Sequence, residues 1–169
     1  MLPTTAALFF LPFVLAIGIW VSWNDMKFMK IPNKAVMALW LVWLIVGGAL
    51  AIAGIFTWQV WAWGWALAAI VMVVGFIANA LNMMGAGDAK FLSAMAPFFV
   101  TCSNISFVMG LFAACLLGAY GAHRLAGKIP AVRGATTDWL SWTHKDFPMG
   151  LALSGTLLFY VLAPLLPGF

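Results

Sequence analysis

Charged positions divide the chain into four long stretches that carry no charge at all: 1–24, 35–87, 91–123 and 147–169. A helix that crosses a bilayer needs about 20 apolar residues. The outer stretches therefore hold one crossing helix each, the 53-residue stretch holds two, and the 33-residue stretch holds two short ones. The pattern predicts an all-α polytopic membrane protein with six transmembrane helices, at 5–23, 35–55, 60–82, 88–101, 105–122 and 148–166. Pro97 lies inside the fourth span, and "TCSN", Thr101 to Asn104, is the turn signal that ends it. Fusing 88–122 would leave a single helix too long for ordinary tilt.

Composition agrees with lipid as the main solvent. Of the 169 residues 66% are hydrophobic and 7% charged, more apolar surface than a soluble domain of this size can hide. The net charge of +4 raises the possibility of a nucleic-acid partner, but the basic residues form no patch with interleaved aromatics. Their placement carries more information. Lys27, Lys30 and Lys34 follow span one, Lys90 flanks span four, and Arg124, Lys128, Arg133 and Lys145 lie between spans five and six. With six spans all eight fall on one side, which the positive-inside rule makes cytoplasmic, and both termini are external.

"TWQVWAWGW", Thr57 to Trp65, falls where an external interface is expected and reads as an anchoring aromatic belt. The amino terminus lacks a basic n-region and a small-residue cleavage site, so it reads as a retained helix. Cys102 and Cys115 make neither a CxxC pair nor a zinc set; no metal and no cofactor is expected. His123 and His144 flank the 124–146 loop, where a solvated or headgroup-contacting imidazole is expected. Within that loop "TTDWLSW", Thr136 to Trp142, has an amphipathic character suited to the membrane surface. One domain, 1–169, with one cytoplasmic loop is predicted.

There is no glutamate, and the aspartates are Asp25, Asp88, Asp138 and Asp146. Asp138 and Asp146 belong to the loop and read as solvated. Asp25 ends span one and Asp88 begins span four, so both lie at the same face. If they meet, two carboxyls within hydrogen-bond reach share a proton, and one acts as base while the other acts as acid on an intervening water. That chemistry hydrolyses an amide without a metal. Gly85 and Gly87 leave room beside Asp88 for a peptide backbone or a neighbouring helix. Other uses of the same residues stay open: Asp88 as a helix cap, and Asp25 as an interfacial partner of Lys27 or Lys30.

These segments resemble the type IV prepilin peptidases, aspartic membrane proteases that cut leader peptides from pilin-like precursors. "DMKFMKIPN" from Asp25, with Pro32 and Asn33, is similar to the family's aspartate and Ile-Pro-Asn; "GAGDAKFLSA" from Gly85, with Lys90, is similar to its GxGD-x-K; "FPMGLALSG" from Phe147 is similar to its last-helix entry. The resemblance implies that Asp25 and Asp88 are catalytic, that Gly85, Gly87, Lys90, Pro32 and Asn33 belong to the motif or the substrate approach, and that no cofactor is used. It implies a prepilin or pseudopilin substrate cut at the cytoplasmic face of a bacterial inner membrane, with membrane lipid as a further partner and no nucleic acid. Larger members of the family resemble this chain plus a segment with paired CxxC motifs and a methylating activity. Without CxxC, the expectation here is peptidase activity alone, as in tight-adherence (Flp) pilus systems.

Two rivals use the same aspartates. A proton-coupled transporter would need a polar path and inverted halves, and residues 1–83 do not resemble 84–169. A noncatalytic membrane assembly subunit would tolerate loss of either carboxylate.

Overall fold

The computed structural model describes residues 1–167. Each of the six predicted segments contains a helix. Helix α1 is Thr4–Phe28. Helix α2, Asn33–Val42, runs through a π turn at Trp43–Gly47 into α3, Gly48–Ile52, as one 20-residue rod. Helix α4 is Trp58–Ala80, α5 is Ala86–Met95, α6 is Ile105–Ala126, α7 is Pro130–Ala135 and α8 is Met149–Leu162. Among the described residues no strand occurs.

Four of these elements, α1, the α2–α3 rod, α4 and α6, are long and apolar enough to cross a membrane. The other two apolar segments are shorter. α5 has 10 residues, about 15 Å of rise, and continues only as a 3-10 turn at Ala96–Phe99, because Pro97 cannot donate the next ladder bond. α8 continues through a 3-10 turn at Ala163–Leu165. "TCSN" is indeed the break: Asn104 Oδ1 accepts from the Phe107 N–H at 3.2 Å and so caps α6. Thr57 does the same for α4, through the Val60 N–H.

α1 packs along α8, α5 lies against α4 and α2, and α6 lies on the outer side of α8. Small residues permit the close approaches. A Cβ on Gly75 would come within 2.9 Å of the Ala89 Cβ, and one turn on, Ser93 Oγ donates to the Ala68 carbonyl at 2.8 Å. At one end Phe10, Trp43, Phe56 and Phe98 form a ring cluster, Phe10 and Phe98 edge-on at 4.9 Å. The belt tryptophans divide between two roles. Trp58 and Trp63 are exposed, whereas Trp61 turns inward and exchanges N–H to carbonyl bonds with Trp43, 3.3 Å each way.

In the loop, Thr136 to Trp142 holds a 3-10 turn at Leu140–Trp142, and the loop's helix is α7. Aromatic packing explains this, because Trp139 meets Trp23 of α1 at 5.1 Å and lies parallel to Trp142 at 5.9 Å. His123 is not solvated. It is buried at the end of α6, stacked on Trp142 at 4.5 Å, with Nε2 3.1 Å from Ser141 Oγ.

Candidate active site

The end of the bundle away from the ring cluster is built by three helix termini. α1 stops at Met29, which takes a left-handed conformation (φ 52°) and returns its N–H to the Asp25 carbonyl at 2.8 Å. Asp25 is thereby fixed in the last turn of α1, where it is only 5% exposed. Its Oδ2 accepts a 2.7 Å hydrogen bond from the Gly150 N–H in the first turn of α8. The first amides of a helix have no partner within it, so an anion placed there satisfies one of them and sits at the positive end of the dipole.

Asp88 occupies the first turn of α5, three residues after Gly85, which stands at the cap position. Its carboxylate turns back toward Gly85, and as an acid in the first turn it sits at the positive end of the α5 dipole. A Cβ on Gly85 would lie 2.7 Å from Asp88 Oδ2, so any larger residue there would displace that carboxylate. Gly87 is packed instead against the loop after α1, where its Cβ would stand 3.4 Å from the Ile31 Cβ. The turn before α5 is held by Asn79, whose Nδ2 donates to the Met84 carbonyl at 2.9 Å, and by Asn82 at φ 58°.

Asp25 and Asp88 line the same two adjoining cavities. One, of about 670 Å³, is bounded by Met29, Asn82 to Gly85 and the segment from His144 to Phe147. The other, of about 410 Å³, is bounded by the loop Lys30 to Asn33 and by Gly85 to Lys90. All seven residues singled out from the sequence lie here: Asp25, Asp88, Gly85, Gly87, Lys90, Pro32 and Asn33. Lys90 Nζ donates to Asn33 Oδ1 at 3.3 Å, which ties α5 to the start of α2. Lys27 turns away from Asp25 and pairs with Asp138 at 2.7 Å, an interaction whose hydrogen bond and charge hold the Asp138 carboxyl below its usual range. Among the described residues no three His, Cys, Asp or Glu side chains gather as a metal site.

Sequence reasoning did not foresee the parts played by Gly150 and by the segment 144–146. Gly150 stood within the last-helix entry, but a backbone amide leaves no sequence signal of its contact with Asp25. His144, Lys145 and Asp146 read as ordinary loop residues, but they line the cavity that contains both aspartates. Both carboxyls thus open on shared space whose lining mixes apolar side chains, Met29, Met83, Met84 and Phe147, with polar ones.

The family model described as type IV leader peptidase family matches residues 9–122, a range that runs from the first turns of α1 through most of α6 and includes both aspartates. No curated protein and no solved structure matches the chain. Because the match covers 114 of 169 residues, the chain belongs to the type IV leader peptidase family, and as a protein of long apolar helices it is a membrane-embedded leader peptidase.

Proposed function

We propose that the protein is an aspartic endopeptidase that cuts the leader from prepilin or pilin-like precursors at the cytoplasmic face of a bacterial inner membrane and leaves the new amino terminus unmethylated. The observation that supports this reading is the convergence of Asp25 and Asp88, from α1 and α5, on one cavity. In the proposed reaction one carboxylate takes a proton from water while the other, protonated, donates to the scissile carbonyl oxygen. The hydroxide adds to the carbonyl carbon, and collapse of the tetrahedral intermediate breaks the C–N bond as the leaving amine gains a proton. Gly150 holds the Asp25 carboxylate throughout. The proposed topology has six membrane segments with both termini external, which puts all eight Lys and Arg on the aspartate side. Peptidase activity alone is favoured by Cys102 and Cys115, which form no CxxC.

The test is co-expression with a candidate precursor, followed by mass measurement of the mature product. Cleavage by the wild type, an unmodified amine on the product, and uncut precursor with Asp25→Asn or Asp88→Asn are expected. A methylated product made by the purified enzyme alone would refute the second half of the reading.

A further inference from the structure

We infer that the cavity between the end of α6, α7 and the segment 140–148 binds the phosphate headgroup of an anionic lipid. The cavity has a volume of about 390 Å³ and is lined by Arg124, Lys128, Arg133 and Lys145, half of the chain's eight basic residues. One acid, Asp146, shares the lining, and its neighbour there is His144 Nδ1 at 3.8 Å. Among the described residues no carboxylate pairs with any of the four cations. Four like charges gathered with a single carboxylate in the lining repel one another, and a bound anion relieves that repulsion.

The geometry suits phosphate. The Arg124 guanidinium lies over Tyr120 at 5.2 Å and that of Arg133 over Trp142 at 5.1 Å, so aromatic faces hold both planes. Such a plane keeps its N–H fork for bidentate contact with phosphate oxygens. One wall is rigid, because His123 is wedged between Trp142 and Ser141. The lipid source follows from α6. His123 is its one buried residue, while Leu117 and Leu125 are 73% and 63% exposed, which gives an acyl chain an apolar track leading to the cavity. Free phosphate has no use for such a track. The segment His144 to Phe147 lines both this cavity and the one that holds Asp25 and Asp88. An occupied headgroup site therefore steadies one wall of the aspartate cavity.

The test uses the full chain purified in detergent, with short-chain phosphatidylglycerol, short-chain phosphatidylcholine and inorganic phosphate titrated separately and binding read by native mass spectrometry. Phosphatidylglycerol binding in preference to phosphatidylcholine is expected. R124Q/R133Q should weaken it by about 25-fold, from about fivefold per cation near an anionic headgroup. Lys34→Gln, a cation outside the cavity, should leave it nearly unchanged, whereas R124K/R133K, which keeps both charges and loses the planar forks, should weaken it by less than R124Q/R133Q does. Equal weakening by Lys34→Gln, or none by R124Q/R133Q, would overturn the site; displacement of the lipid by equimolar inorganic phosphate would overturn the lipid assignment. Both arginines are exposed, so the variants should fold, and the readout does not depend on cleavage.

Discussion

Gly150→Ala is the most informative substitution at the site, because it adds one methyl group and changes no charge. Its Cβ would stand 2.9 Å from both the Asp25 Cβ and Oδ2 and 3.1 Å from Cγ, where ordinary contacts are 3.4–4 Å. Either the start of α8 or the Asp25 side chain must move by roughly half an ångström or more, and the 2.7 Å bond from the Gly150 N–H to Oδ2 is then lost or lengthened. A hydrogen bond to a charged group contributes about 1.5–3 kcal/mol. A displacement of about 1 Å at a reacting group costs about 100-fold in rate. The expected outcome is a fall of about 10- to 100-fold in the cleavage rate of a precursor in detergent or vesicles, with a modest loss of stability. Two alanine controls grade the effect. Gly87→Ala meets the Ile31 Cβ at 3.4 Å, a tight but adjustable contact, and Gly110→Ala on α6 meets nothing within 4 Å. Wild-type cleavage by Gly150→Ala, or an equal loss with Gly110→Ala, would refute the claim that this amide holds Asp25 in place.

Further outcomes follow from the same distances. Gly64→Ala would put a Cβ 2.5 Å from the buried Trp43 ring, so a loss of about 1–3 kcal/mol is expected from overpacking, read as a lower unfolding temperature with cleavage retained at low temperature. Asp138 keeps its carboxyl below the usual range through Lys27, so its contribution is present above the ordinary aspartate value of 3.8 and is lost as pH falls through the lowered value. Hydrogen exchange in residues 136–142 should accelerate on that descent, and Lys27→Met should have the same effect at neutral pH. Lys90→Met removes the 3.3 Å bond to Asn33 at an exposed position and should slow cleavage by less than about fivefold, since exposed polar contacts contribute little.

Much of the helix layout was legible because charge is so scarce: 12 charged residues mark helix ends almost by themselves. The common depth of Asp25 and Asp88 followed from the same marks. Which faces pack did not, because lipid and helix interfaces are equally apolar and periodicity loses its meaning. α6 illustrates this, being as apolar as the other long helices and buried along almost none of its length. Trp61 and Trp58 likewise sit three residues apart in one aromatic run, but only Trp61 finds an inward partner, the Trp43 carbonyl beside a π turn that no local signal announces. His123 was misjudged for a related reason. Its burial depends on Ser141 and Trp142, 18 and 19 residues away, folding back across the end of α6.

The central claim is that Asp25 and Asp88 act as one unit. It is tested most directly by cleavage rates of Asp25→Asn, Asp88→Asn and the double variant on the same precursor, with folding confirmed for each. Groups that share one step are strongly non-additive, so each single variant should lose essentially all activity and the double should be no worse than either. Wild-type processing by either single variant, or losses that multiply in the double, would contradict it.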